Sequence, residues 1–248
     1  MTVKLFDMAH ITAIADAIRA KTGEYGLMTV EQMPAKIAAI TTAAPETWRE
    51  CWLEKPKNSP TSLFLDTGIQ SNFEHKLIVR CRSAAAQMSA PFNACGSSGP
   101  RYGINFLPSS NKLQLYWGGY SNTNLTVERG TLDVVQEMNI TQNKSGITIS
   151  GFTSGGNATT WNQDYSATTA SGTNENYKLF TYAKNTSIHF GLFRRAEIQN
   201  ASGETIATIV PEISNSFVAR LKITEGDATR YVAIPAGFVC HLNNEAAS

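Results

Sequence analysis

Apolar residues recur along this chain with two different periods, and the change between them divides it. Near the N-terminus Met8, Ile11, Ala15 and Ile18 fall three or four positions apart, the spacing that gathers side chains on one face of a helix. Asp7 stands where an N-cap belongs, and Gly23 where such a helix stops. A second stripe follows in Thr29–Ile40, made of Met33, Ile37 and Ile40. Pro34 is best tolerated in a first turn, so this second helix is expected to begin close to it. Helices this short cannot bury a core alone. Their stripes must meet each other, a sister subunit or another protein.

Thr41–Pro45 reads as a linker, and beyond it the period falls to two. Leu77, Val79 and Cys81 alternate with Ile78, Arg80 and Arg82, and Leu113, Leu115 and Trp117 alternate with Gln114 and Tyr116. The same rule runs through Ile147 and Ile149, then Ile188, Phe190 and Leu192, then Phe217, Ala219, Leu221 and Ile223. Turn-forming clusters punctuate these runs: Gly96–Pro100, Pro108–Asn111, Ser154–Asn157 and Glu225–Asp227. About ten to twelve strands with one apolar face each imply a two-sheet antiparallel jelly-roll sandwich, preceded by a short helical hairpin. The expected organisation is a helical leader over 1–40, a linker and first extended segment over 41–61, and the jelly-roll domain over 62–248.

Composition narrows the function classes. Charged residues are 17% of the 248 and the formal net charge is +1, while aromatics reach 9%, so the chain is expected to fold rather than stay disordered. Duplex binders need a clustered basic surface. Here Lys76, Arg80 and Arg82, and the pair Arg194 and Arg195, sit inside strand-like runs, so no nucleic-acid partner is expected. No apolar run is long enough for a membrane span and no secretory signal is visible, which implies folding in a cytoplasm without membrane insertion. Cys51, Cys81, Cys95 and Cys240 are widely spaced and lack a C-x-x-C pair, so four free thiols are expected, and no zinc site.

Catalytic patterns are not evident. Concanavalin-like glycosidases place paired acids on one face of a strand. In this chain the acids are scattered, and the densest stretch, Glu128, Asp133 and Glu137, reads as solvated. His10, His75, His189 and His241 show no metal-ligand spacing, His241 falling near a disordered-looking end, and no G-x-S-x-G elbow exists. Asp164 and nearby asparagines offer oxygens for calcium, yet ordinary turns account for them. The expectation is no catalytic residue, no metal and no cofactor. Two aromatic stretches are better candidates for touching a sugar: Tyr116 and Tyr120 around a Gly-Gly turn, and Trp161, Asn162 and Tyr165 in a loop rich in Ser, Thr, Asn and Gly. Trp117 continues the Leu113 and Leu115 face and is assigned to the core.

Both the leader and the strand-rich region carry a family likeness. Ile11–Gly23 followed by Met28–Ile37 resembles the "IADAIRxKTG…M(T/S)xxxMPxKI" leader of phage and prophage tail, baseplate and fibre proteins. Phe64–Ile69, Leu179–Asn185, Arg195–Asn200 and Ile209–Glu212 are similar to strand segments of concanavalin-like, LamG-type jelly rolls in phage structural proteins, although Gln199-Asn200 replaces the usual Tyr-Asp. The resemblance implies a bacteriophage virion protein of the tail, baseplate or fibre, assembled in the host cytoplasm, whose lectin-like domain contacts a host surface glycan. A purely structural head-fibre or capsid-decoration protein is the alternative, and a carbohydrate-active enzyme a more distant one. Other virion proteins are the implied partners. The stripes Met8, Ile11, Ala15, Ile18, Met33, Ile37 and Ile40 form the expected assembly interface, and a homo-oligomer, first a trimer, is expected from them.

Overall fold

A computed structural model of the chain describes residues 12, 14–18, 29, 31–35, 46–56, 59–60, 62–83, 89–96, 99–107, 112–126, 136–154, 157–168, 175–183, 186–187 and 191–242. It divides into two compact units, Met1–Thr47 and Trp48–Ser248.

In the first unit, residues 12 and 14–18 are helical, and a second short helix occupies 33–35. The latter begins where Pro34 places it. Ahead of it, the Thr29 N–H donates to Gln32 Oε1 at 3.0 Å and the Gln32 N–H donates back to the Thr29 carbonyl at 3.1 Å. A glutamine three residues after a threonine thus caps an N–H that no helical carbonyl can reach. Ala15, Ile18 and Met33 are buried as one small cluster, so among the described residues the two stripes do meet each other. Ile14 stays exposed on another side. Met8, Ile11, Ile37 and Ile40, with Asp7 and Gly23, lie outside the described residues.

The second unit opens with strands β1 (Trp48–Glu50), β2 (Trp52–Lys55), β3 (Leu65–Gln70), β4 (Lys76–Ser83), β5 (Phe92–Gly96), β6 (Gly99–Phe106), β7 (Lys112–Trp117) and β8 (Tyr120–Thr126). It continues with β9 (Gln136–Asn143), β10 (Gly146–Ser154), β11 (Asn157–Asp164), β12 (Asn176–Leu179), β13 (Thr181–Ala183) and β14 (Thr186–Ser187). The last five are β15 (Gly191–Gln199), β16 (Thr205–Ser214), β17 (Ala219–Glu225), β18 (Ala228–Ala233) and β19 (Val239–His241). The large sheet runs β11-β10-β9-β4-β15-β16-β17-β18, with β1 beside β16, β2 beside β15 and β19 beside β2. The smaller sheet runs β3-β12-β5-β6-β7-β8, and β13 pairs with β14 alone. The chain is therefore mainly β, a two-sheet antiparallel sandwich behind a short helical segment, as its alternation implied.

The core is built from the positions that alternation marks. Leu77, Val79 and Cys81 of β4, Leu113, Leu115 and Trp117 of β7, Ile147 and Ile149 of β10, and Leu221 and Ile223 of β17 belong to one buried cluster. Three expectations need correction. The strands exceed ten to twelve, because long apolar runs are cut by bulges and several strands of two to four residues carry too little pattern to register. The sandwich starts at Trp48 rather than 62, since β1 and β2 pair into the large sheet. Phe217 does not extend β17: it sits in a turn at φ 60°, 81% exposed, because Ser214 Oγ accepts from the N–H groups of Ser216 and Val218 and ends the strand there. On β15 the register breaks between Phe193 and Arg195, so Phe193, Ala196 and Ile198 face the core. Leu192 is buried opposite Arg82 and Glu54, outside that cluster, while Ile188 and Phe190 lie outside the described residues.

One polar layer is buried within the smaller sheet. Asn93 Nδ2 donates to Asn105 Oδ1 at 2.8 Å, and Asn93 Oδ1 accepts from the Ile104 N–H at 2.9 Å. This amide needs the space beside Gly103, whose φ is 121°; a Cβ there would lie 2.0 Å from Asn93 Oδ1.

Candidate functional site

The two sheets must be closed where their edge strands face each other. On one side those edges are β8 and β11, the ends of the two strand orders. Tyr120 pairs with Trp117 across the β7–β8 turn and leans on the core. Beyond β11 the chain stays hydrogen-bonded to the β9–β10 turn, with the Tyr165 N–H on the Ser145 carbonyl at 3.0 Å and the Ala167 N–H on the Lys144 carbonyl at 2.9 Å. These bonds carry Tyr165 over Tyr120. The rings stack at 4.5 Å with 8° between planes.

Gln142 locks the closure. Its position follows Met138 and Ile140 with period two, which puts an amide on a core-facing site of β9. Gln142 Nε2 donates to the Tyr116 carbonyl on the smaller sheet and to the Tyr165 hydroxyl, both at 3.2 Å. That hydroxyl in turn donates to the Asn143 carbonyl at 2.5 Å. Burial pushes the Tyr165 phenol well above its ordinary pKa. Trp161, opposite Ile149 on β11, and Leu125 on β8 are partly buried against the same core. On this side of the sandwich Tyr120, Leu125, Trp161 and Tyr165 are thus each half-open to water and packed on the core, beside neutral hydroxyl and amide groups.

The sequence-based candidates are thus partly assembled and partly separated. Tyr120 and Tyr165 come into contact, and Trp161 shares the inner side of its strand with Tyr165, four residues on. Asn162 points the other way, exposed, with its Oδ1 accepting from Thr148 Oγ1 at 2.8 Å. Tyr116 lies on the outer face of the smaller sheet, where its hydroxyl donates to Gln114 Oε1 at 3.2 Å. The expected loop for Trp161 and Asn162 is a strand, because Gly146–Ser154 offers a ladder that polar Thr, Asn and Gln residues can join at a sheet edge. Trp117 is in the core as assigned, its indole N–H donating to the Phe73 carbonyl at 3.0 Å. Gln142 and Leu125 were missed. An amide in phase with Met138 and Ile140 was the available signal for Gln142.

No protein-family model matches this chain, and no curated protein matches it.

Most of the basic residues singled out in the sequence are paired with carboxylates. Glu137 bridges Arg80 at 2.5 Å and Arg82 at 3.0 Å, while Arg82 covers the Trp52 ring at 4.1 Å. Arg194 reaches Glu50 at 3.3 Å and Arg195 reaches Glu197 at 3.0 Å. Glu128 and Asp133 lie outside the described residues, as do His10 and His189. His75 packs on Tyr177, its Nδ1 3.2 Å from the hydroxyl, and burial holds its pKa below the ordinary value. His241 is not at a loose end: it is buried on β19 with Nε2 2.5 Å from Glu54 Oε2. A three-residue strand carries too little pattern to be read from sequence.

Proposed function

We propose that this chain is a bacteriophage virion protein of the tail, baseplate or fibre, and that its sandwich holds a host surface glycan on the aromatic β8–β11 side. The observation that carries the reading is the set of partly exposed aromatics Trp161, Tyr165 and Tyr120, with the half-buried neutral amide of Gln163 alternating between Trp161 and Tyr165. Sugar rings present apolar C–H faces and a rim of hydroxyls, which suit flat aromatic surfaces flanked by amides and hydroxyls. The leader supports the particle setting through its resemblance; docking onto other virion proteins or a homotrimer would engage leader residues other than Ala15, Ile18 and Met33, which are buried against one another.

A purely structural role is the second reading, and one observation favours it. The Tyr165 hydroxyl is fully occupied by Asn143 and Gln142, so this residue serves to close the sandwich whether or not a ligand arrives. Screening the full chain on an array of bacterial surface polysaccharides separates the two. Retention of a defined neutral glycan, lost in Trp161→Ala while the fold persists, is the expected result. No retention on any glycan would leave the structural role standing.

A further inference from the structure

Four thiols are free, and two of them are neighbours. Cys240 on β19 stands directly opposite Leu53 on β2, and Cys51 lies two residues before Leu53 on the same segment. Alternate residues of an extended segment share a face, so Cys51 and Cys240 are diagonal partners across the sheet. The two thiols are near enough for each to shift the other's pKa. Cys51 is fully buried and held in place by its N–H on the Pro211 carbonyl at 3.0 Å, while Cys240 is partly open to solvent. Cys81 and Cys95, by contrast, are fully buried, and Cys95 Sγ donates to the Thr181 carbonyl at 3.6 Å.

We propose that Cys51 and Cys240 are a site of oxidative modification, forming a disulfide that staples the last strand of the sandwich to its second once the protein meets a disulfide oxidant. The partners are unequal in a useful way. The interaction of the two thiols holds that of Cys240 below the ordinary thiol range and raises that of Cys51. The Cys240 thiolate therefore attacks a small-molecule disulfide, forming a mixed disulfide and releasing one thiolate. Cys51 sulfur then attacks the Cys240 sulfur of that mixed disulfide, losing its proton and expelling the second small thiol. Two protein thiols are oxidised and one external disulfide is reduced to two thiols. Strand β19 has three residues and pairs with β2 alone, so the link would secure one of the two shortest, singly paired elements of the large sheet. Such a staple suits a protein that folds in a reducing compartment and later works outside it.

The test is to expose the folded full chain to oxidised glutathione, then alkylate under denaturing conditions and map the peptides without reduction. One cross-linked peptide joining Cys51 to Cys240 is expected, with Cys81 and Cys95 still alkylated. The melting temperature should rise by roughly 10 °C over the reduced protein, because the link closes most of the chain into one loop. Cys51→Ala should halt the sequence at glutathione-bound Cys240. Four alkylated cysteines, a persistent glutathione adduct on Cys240 in the unmodified protein, or a link involving Cys81 or Cys95 would each overturn the proposal.

Discussion

The sandwich is closed differently on its two lateral sides. At the β8–β11 side, closure is aromatic and neutral: Tyr165 lies flat on Tyr120, and Gln142 ties both sheets to the Tyr165 hydroxyl. At the opposite side, β3 meets β18 and the closure is cationic. There Arg230 donates through its guanidinium to the Thr67 carbonyl and pairs with Glu225 at 3.0 Å. That guanidinium runs against Gly68, whose φ is 70° and where a Cβ would sit 3.3 Å from Arg230 Nη2. Both solutions bridge the two sheets at their edges through side chains. They leave different surfaces. The aromatic side offers ring faces and neutral hydrogen-bonding groups, whereas the cationic side offers a charge already spent on protein partners.

That contrast can be broken in steps. Tyr165→Ala removes the stack and both hydroxyl bonds, and should cost about 3–4 kcal/mol of stability, read by denaturant unfolding. Tyr165→Phe keeps the stack and strands only the Asn143 carbonyl and one Gln142 donor, so about 1–2 kcal/mol is expected. This variant also has a pH signature. The folded protein holds the Tyr165 phenol above its ordinary value of 10, so the unfolded chain releases that proton first. Stability should therefore fall as pH rises past about 10, at up to about 1.4 kcal/mol per pH unit from this group, and Tyr165→Phe should have a shallower alkaline slope.

Arg230→Met tests the cationic side. Its ion-pair partner Glu225 is exposed, so a loss of about 1 kcal/mol is expected from that pair, shrinking further in molar salt; the aromatic side should show no such salt dependence. The smallest effect is expected from deleting residues 1–40. The sandwich unit begins at Trp48, so its melting temperature should change by less than about 2 °C while incorporation into particles is abolished.

The two sides were also unequally legible in the sequence. Period-two alternation marked Leu113, Leu115 and Trp117 as core, and those residues support the aromatic side from beneath. Tyr120, Trp161 and Tyr165 could be named as candidates because aromatics beside polar turn residues stand out in composition. Their convergence could not be read, since it depends on which strand ends each sheet. Asn162 and Tyr116 were grouped with them by proximity along the chain, yet strand alternation sends their side chains to other faces. The cationic side left no sequence trace. Arg230 and Thr67 are brought together only by the sheet order, as are Cys51 and Cys240, or Glu54 and His241. Local pattern speaks for elements, while pairing between distant strands is decided by the packing of the whole unit.

Of the two sides, only the aromatic one is proposed to receive a glycan. The most direct test is a calorimetric titration of one retained neutral polysaccharide fragment into the full chain and into the variants Trp161→Ala and Arg230→Met. Loss of at least about tenfold in affinity for Trp161→Ala, with Arg230→Met within about twofold of the unmodified chain, is the expected result. Equal affinity for Trp161→Ala and the unmodified chain, or a larger loss in Arg230→Met, would contradict it.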